Sequence, residues 1–161
     1  MDLHKQAQHA LAGLASGAGR QTLRVQDGNQ AHSCELTVEI EHLDALAVQF
    51  TDISLATDAL AGKSTDELKA LADKLSQRLT YLLEPISPIE TDPDGATVQL
   101  RSNPPQKDED GTHYYELLVR RGGELHLRRY QKQPGDVRQS IPASLTREVL
   151  LRLVADFAAV V

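Results

Sequence analysis

Residues 112–132 read THYYELLVRR, then Gly122-Gly123, then ELHLRRYQK. Two strand-like runs flank a glycine pair, and a two-residue type I′ hairpin turn needs positive φ at both central positions, which glycine adopts freely. With Gly122-Gly123 as that turn, Tyr115 faces Tyr130, Leu117 faces Arg128 and Val119 faces His126. On the other side Glu116 pairs with Arg129, Leu118 with Leu127 and Arg120 with Leu125. Leu118 and Leu127 mark the core side, yet Tyr115, Leu117, Val119 and Tyr130 are nearly as apolar. This pattern predicts a ribbon covered on both faces, by helices on one and by a partner or second subunit on the other. Tyr115, Leu117, Val119 and Tyr130 are therefore the candidate partner-binding residues. Arg120, Arg121 and Arg128 are the candidate anion-binding residues, because guanidinium groups fit carboxylate and phosphate. Strand alternation divides the hairpin's cations between two faces, and Glu116 offers one of them a cross-strand partner. Compensation by nearby acids is the reading favoured over nucleic-acid binding.

Working outward, Gln133-Pro134-Gly135-Asp136 is a turn, and a short strand follows over 137–141. Ser144 or Thr146 caps a final helix whose apolar stripe is Val149, Leu150, Leu153, Val154, Phe157 and Val160. Upstream of the hairpin, 103–111 is a polar loop, 96–102 a strand, and 86–90 a short edge strand. Asp92-Pro93-Asp94-Gly95 is a turn that lacks the remaining ligands of a calcium loop. Ser64 and Glu67 form a capping box that starts a helix running to about Leu83, with Leu68, Leu71, Ala72, Leu75, Leu79 and Leu82 on one stripe.

Before that helix, Leu46, Val48 and Phe50 share one face, and Ile53 and Leu55 fall in the opposite phase. A bulge near Thr51-Asp52 reconciles them. Cys34, Leu36, Val38 and Ile40 alternate with Glu35, Thr37, Glu39 and Glu41, which is a half-buried strand with a wet acidic face. The glutamates do not converge as a metal site requires, and Cys34 reads as a buried structural thiol. A further strand covers 21–26, closed by a turn at Asp27-Gly28-Asn29. Leu3, Ala7, Ala10, Leu11 and Leu14 stripe a short, loosely docked helix over 3–15.

The element order predicts one α+β domain spanning 1–161. Its sheet is mainly antiparallel, with about six to eight strands and two long amphipathic helices on one face. The chain has 161 residues, 40% hydrophobic and 25% charged, with a net charge of −6 and a single cysteine. That charge disfavours nucleic acid and anionic membranes as partners. One cysteine permits no intrachain disulfide and fits a reducing cytoplasm. The small-residue N-terminus is broken by Gly and Ser and lacks the apolar core of a signal peptide. No segment reaches the ~20 apolar residues of a membrane span.

Six histidines occur without zinc-ligand spacing, and no nucleophile elbow, P-loop or dinucleotide fingerprint is present. No cofactor, metal or catalytic residue is expected. The element order resembles that of secretion-type chaperones, small acidic homodimers with helices flanking a twisted antiparallel sheet. The resemblance covers most of the chain, rests on no motif, and does not extend to the additional strands after Pro85. It implies a non-enzymatic, adaptor-like homodimer that binds another protein. The alternatives are a ligand-binding or enzymatic domain with a pocket between sheet and helices, and nucleic-acid binding through the arginine-bearing hairpin.

Overall fold

Alternation and capping write most of the elements directly. The computed structural model describes residues 2–27 and 31–161; the turn expected at Asp27-Gly28-Asn29 lies partly outside them. The architecture is α+β, with ten antiparallel strands in one sheet and three α-helices among the described residues. The chain runs through α1 (Leu3–Ala12), β1 (Gly17–Asp27), β2 (Cys34–Leu43), β3 (Ala47–Thr57), α2 (Thr65–Arg78), β4 (Ile86–Asp92), β5 (Thr97–Ser102), β6 (Gln106–Asp108), β7 (Gly111–Arg120), β8 (Glu124–Lys132), β9 (Gln139–Ile141), β10 (Ala143–Thr146) and α3 (Arg147–Val160). The spatial order is β1-β2-β3-β8-β7-β5-β4.

The capping box forms as expected: Ser64 Oγ accepts from the Glu67 amide at 3.1 Å, and Glu67 accepts from the Ser64 amide at 2.6 Å. The helix ends at Arg78 rather than near Leu83. Leu79 and Leu82 are nevertheless buried, reached by a tight turn. Ser76 Oγ donates to the Ile86 carbonyl at 2.6 Å, which pulls the returning chain back along the helix. Thr146, not Ser144, caps α3, accepting from the Val149 amide at 3.1 Å.

β3 holds the bulge expected from its phase change. Glu39 pairs with Asp52 and Ile40 with Phe50, so Thr51 is the extra residue. Val48, Phe50, Ile53 and Leu55 can then all be buried. The same bulge divides the strand between two neighbours. Its later half, Ile53–Ala56, pairs with β8, and its earlier half, 47–50, pairs with β10. β3 and β8 diverge after four pairs. The segment 139–146 fills the fork, β9 against β8 and β10 against β3, crossing over at Pro142. The polar loop expected over 103–111 is partly ordered, because β6 folds back on β7 through Gln106↔His113 and Asp108↔Gly111.

The hairpin register differs from the sequence expectation by one residue. Arg120 pairs with Glu124, and Tyr115 pairs with Arg129, Leu117 with Leu127 and Val119 with Leu125. The loop has three residues because Arg121 joins it. The Arg121 amide donates to the Ala96 carbonyl at 3.0 Å, and its Nε donates to the Lys63 carbonyl at 2.6 Å. These tertiary bonds take Arg121 out of the ladder. Gly123 has φ +109, and its carbonyl accepts from the Thr57 amide at 2.7 Å.

One aliphatic core joins the sheet to the helices. It includes Leu36, Val38, Ile53, Leu55, Leu117, Val119, Leu125 and Leu127 from strands, with Leu68, Leu71, Leu75, Leu150, Leu153 and Phe157 from α2 and α3. A Cβ on Gly123 would lie 2.5 Å from the Thr57 carbonyl oxygen, whereas one on Gly122 would meet nothing within 4 Å. In urea titrations Gly123→Ala is expected to lose about 2 kcal/mol or more of stability, and Gly122→Ala to stay within about 0.5 kcal/mol. Equal losses would contradict the observed turn.

Candidate functional site

The corrected register sorts the hairpin side chains. Tyr115, Leu117 and Val119 are buried in the core, with Leu117 and Val119 at 0% exposure. Tyr130 pairs with Tyr114 and lies on the opposite face. The four candidate partner residues therefore do not share an open surface. The second face carries Tyr130 with Glu124, His126 and Arg128 of β8, and Tyr114, Glu116, Leu118 and Arg120 of β7 in place of Tyr115, Leu117 and Val119.

Glu116 is the centre of that face. It stands mid-strand in the interior of the sheet and is only 4% exposed. A carboxylate removed from water needs charged or hydrogen-bonding partners. Gln99 Nε2 donates to it at 2.7 Å, from the neighbouring β5. Arg138, in the segment leading to β9, donates from Nη1 at 2.5 Å and from Nη2 at 3.4 Å. Arg101 Nη2 lies 3.6 Å away as an ion pair. These bonds to Glu116 raise the Arg138 guanidinium further above its ordinary pKa.

Aromatic rings fix both guanidinium groups from below. Arg101 sits 4.5 Å from the centroid of Tyr114, and Arg138 sits 3.9 Å from that of Tyr130. The two rings are 5.9 Å apart and tilted by 32°. Cation–π stacking holds each guanidinium plane and restricts its rotamers. Beside this group is a cleft of about 620 Å³ lined by Arg101, Arg138, Lys132, Tyr114, Asp136 and Val137, among others.

A second polar group lies next to it. Asp52 follows the Thr51 bulge, and its Oδ1 accepts from Arg128 Nε at 2.8 Å and lies 2.9 Å from His126 Nδ1. The other ring nitrogen, Nε2, is 3.3 Å from Glu124. Burial pushes the Asp52 carboxyl up, but the hydrogen bonds from His126 and Arg128 outweigh it and hold the carboxyl below its ordinary value. Both imidazole nitrogens face carboxylates.

The candidate anion residues are each engaged within the chain. Arg120 lies 3.7 Å from Glu124, Arg128 bonds Asp52, and Arg121 bonds the Lys63 carbonyl. Arg129, expected against Glu116, instead pairs with Glu84 at 2.7 Å and stacks on Tyr115. That pair floors a different cleft of about 600 Å³ beside the fork, walled by Leu82, Leu83, Pro104, Pro105 and Pro142. The acidic stripe of β2 is partnered by β1: Thr22 bonds Glu39, Gln26 bonds Glu35, and Arg20 and Arg24 pair with Glu41 and Glu35.

Arg101, Arg138 and Gln99 were not singled out from the sequence. The one local signal for them is Glu116 itself, an acid set inside the apolar run Tyr115–Val119. No helix among the described residues is long and apolar enough to cross a membrane. No family model, curated protein or solved structure matches the chain.

Asp52 supplies the pH prediction. Its folded pKa is depressed, so its contribution is present above the unfolded carboxylate value of about 3.9 and is lost as pH falls through the folded value. Asp52→Asn is expected to lose roughly 1 kcal/mol at pH 7, and the gap to wild type should shrink below about pH 4. Denaturant titrations across pH check this, and a pH-independent gap would contradict it.

Proposed function

We propose that the protein is a non-enzymatic protein-interaction domain, adaptor- or chaperone-like, that docks a partner on the sheet face opposite the core. The observation that carries the reading is the preorganised cluster of Tyr114, Tyr130, Arg101 and Arg138 around Glu116. Tyrosine and arginine dominate interface energetics, tyrosine through a large contact area with few rotors and arginine through several donors in a planar fork. Here both types are already held in place by stacking and by one buried carboxylate, which lowers the entropy lost on binding.

The reading takes α2 and α3 to share the core-facing side of the sheet. Contacts of α3 with α1, α2, β3 and β10, and of α2 with β4, β5 and β7, support that arrangement. It leaves Leu118, Tyr130 and the arginines on the side without helices. An enzymatic reading finds less support. The space between sheet and helices is filled by fully buried leucines and phenylalanines, and His126 has both nitrogens against acids.

Homodimerisation belongs to the same proposal. β1 ends the strand order, is eleven residues long and contains no proline, so its outer edge can be extended by a second copy. Light scattering is expected to give twice the chain mass of 17.7 kDa. A mass of one chain across the concentration range would contradict the dimer.

The face itself is tested by affinity capture with wild type and with Leu118→Asp, a half-buried position on the second face. A polypeptide retained by wild type and lost with the folded variant is expected. Identical retention by both would refute this docking face.

A further inference from the structure

We propose that the cleft beside Glu116 binds an acidic peptide segment, with Arg101 and Lys132 receiving its carboxylates. This rests on the reading of the second face as a docking surface and names the chemistry of the partner.

Arg101, Arg138 and Lys132 line the cleft along with one acid, Asp136. Glu116 lies beneath them. Three cations against two acids leave an excess of one positive charge, in a chain whose net charge is −6. Arg138 spends its donors on Glu116. Arg101 does not. It touches Glu116 only at ion-pair distance, 3.6 Å, its Nε is buried without an acceptor, and it makes no side-chain hydrogen bond among the described residues. Tyr114 nevertheless holds its plane 4.5 Å from the ring centroid. A guanidinium so held, ion-paired to Glu116 through Nη2 but making no hydrogen bond among the described residues, keeps donors for a carboxylate. Lys132, at the end of β8, forms no ion pair among the described residues and supplies a second, exposed cation.

The rest of the wall suits a peptide. Val137 is 86% exposed and gives an apolar contact at the lip. Pro105 adds a second apolar contact, and Gln99 and Thr112 complete the polar wall. A nucleic acid fits less well. Its affinity comes from neutralising several phosphates, and a local excess of one charge on an acidic chain releases few counterions. A peptide carrying one or two carboxylates matches the two available cations.

The test is fluorescence anisotropy of a labelled hexaglutamate peptide at low salt, with hexaglutamine and a twelve-nucleotide oligothymidine as comparison probes. Saturable binding of hexaglutamate is expected, with no binding of hexaglutamine and weaker binding of the oligonucleotide. Lys132→Glu is expected to weaken hexaglutamate about tenfold with an unchanged melting temperature, since Lys132 is outside the Glu116 network. Lys69→Gln, which removes an exposed cation on α2, is expected to bind as wild type does. No binding of hexaglutamate, equal affinity in Lys132→Glu, or preference for the oligonucleotide would each overturn the proposal. If hexaglutamate fails while Leu118→Asp still abolishes partner capture, the docking face survives and the acidic partner does not.

Discussion

A carboxylate in the interior of a ten-stranded sheet has to be neutralised, and the whole second face is arranged around that requirement. Glu116 stands on a central strand with neighbours on both sides. β5 brings Gln99 and Arg101 to it from one side. Arg138 arrives from farther along the chain, after the turn at Pro134 and Gly135 that follows β8 and immediately before β9 pairs back onto β8. Truncating one member of such a network leaves a charge without a partner in low dielectric, which costs more than the bond itself. The tyrosines stacked under the two guanidinium groups belong to the same arrangement, because a stacked guanidinium keeps the orientation that the carboxylate needs.

The fork in the sheet makes this possible. Thr51 shifts the phase of β3, so one strand serves β10 with its first half and β8 with its second. The divergence of β3 from β8 opens room for β9 and β10. Because β9 lies against the end of β8, the residue before it, Arg138, can cross onto the second face. The same bulge turns Asp52 toward His126 and Arg128. A one-residue irregularity thus sets two polar groups on the face.

Local signals were readable in the sequence and tertiary ones were not. The capping box of Ser64 and Glu67, the bulge at Thr51 and the buried thiol of Cys34 each depend on a few adjacent residues. The hairpin was readable as a hairpin, but its register was not. Gly122-Gly123 favours a two-residue turn by itself, and Arg121 enlarges it through bonds to Lys63 and Ala96, far away in sequence. That single-residue shift exchanges the pairings along the ribbon and sends Leu117 to Leu127 instead of Arg128. The partner of Glu116 was hidden for a similar reason. Arg138 follows a Pro-Gly turn with no periodic pattern around it, and only the fork brings it near. The end of α2 was misplaced because Leu79 and Leu82 keep helical spacing and are buried, although the backbone there has left the helix.

Everything assigned to the second face requires that Glu116 and Arg138 act as one unit. A double-mutant cycle with Glu116→Ala, Arg138→Ala and the double variant, followed by urea denaturation, measures that directly. The structure predicts a coupling energy of about 1 kcal/mol or more. Single losses that add to the double loss within about 0.3 kcal/mol would mean that the carboxylate does not hold the face together.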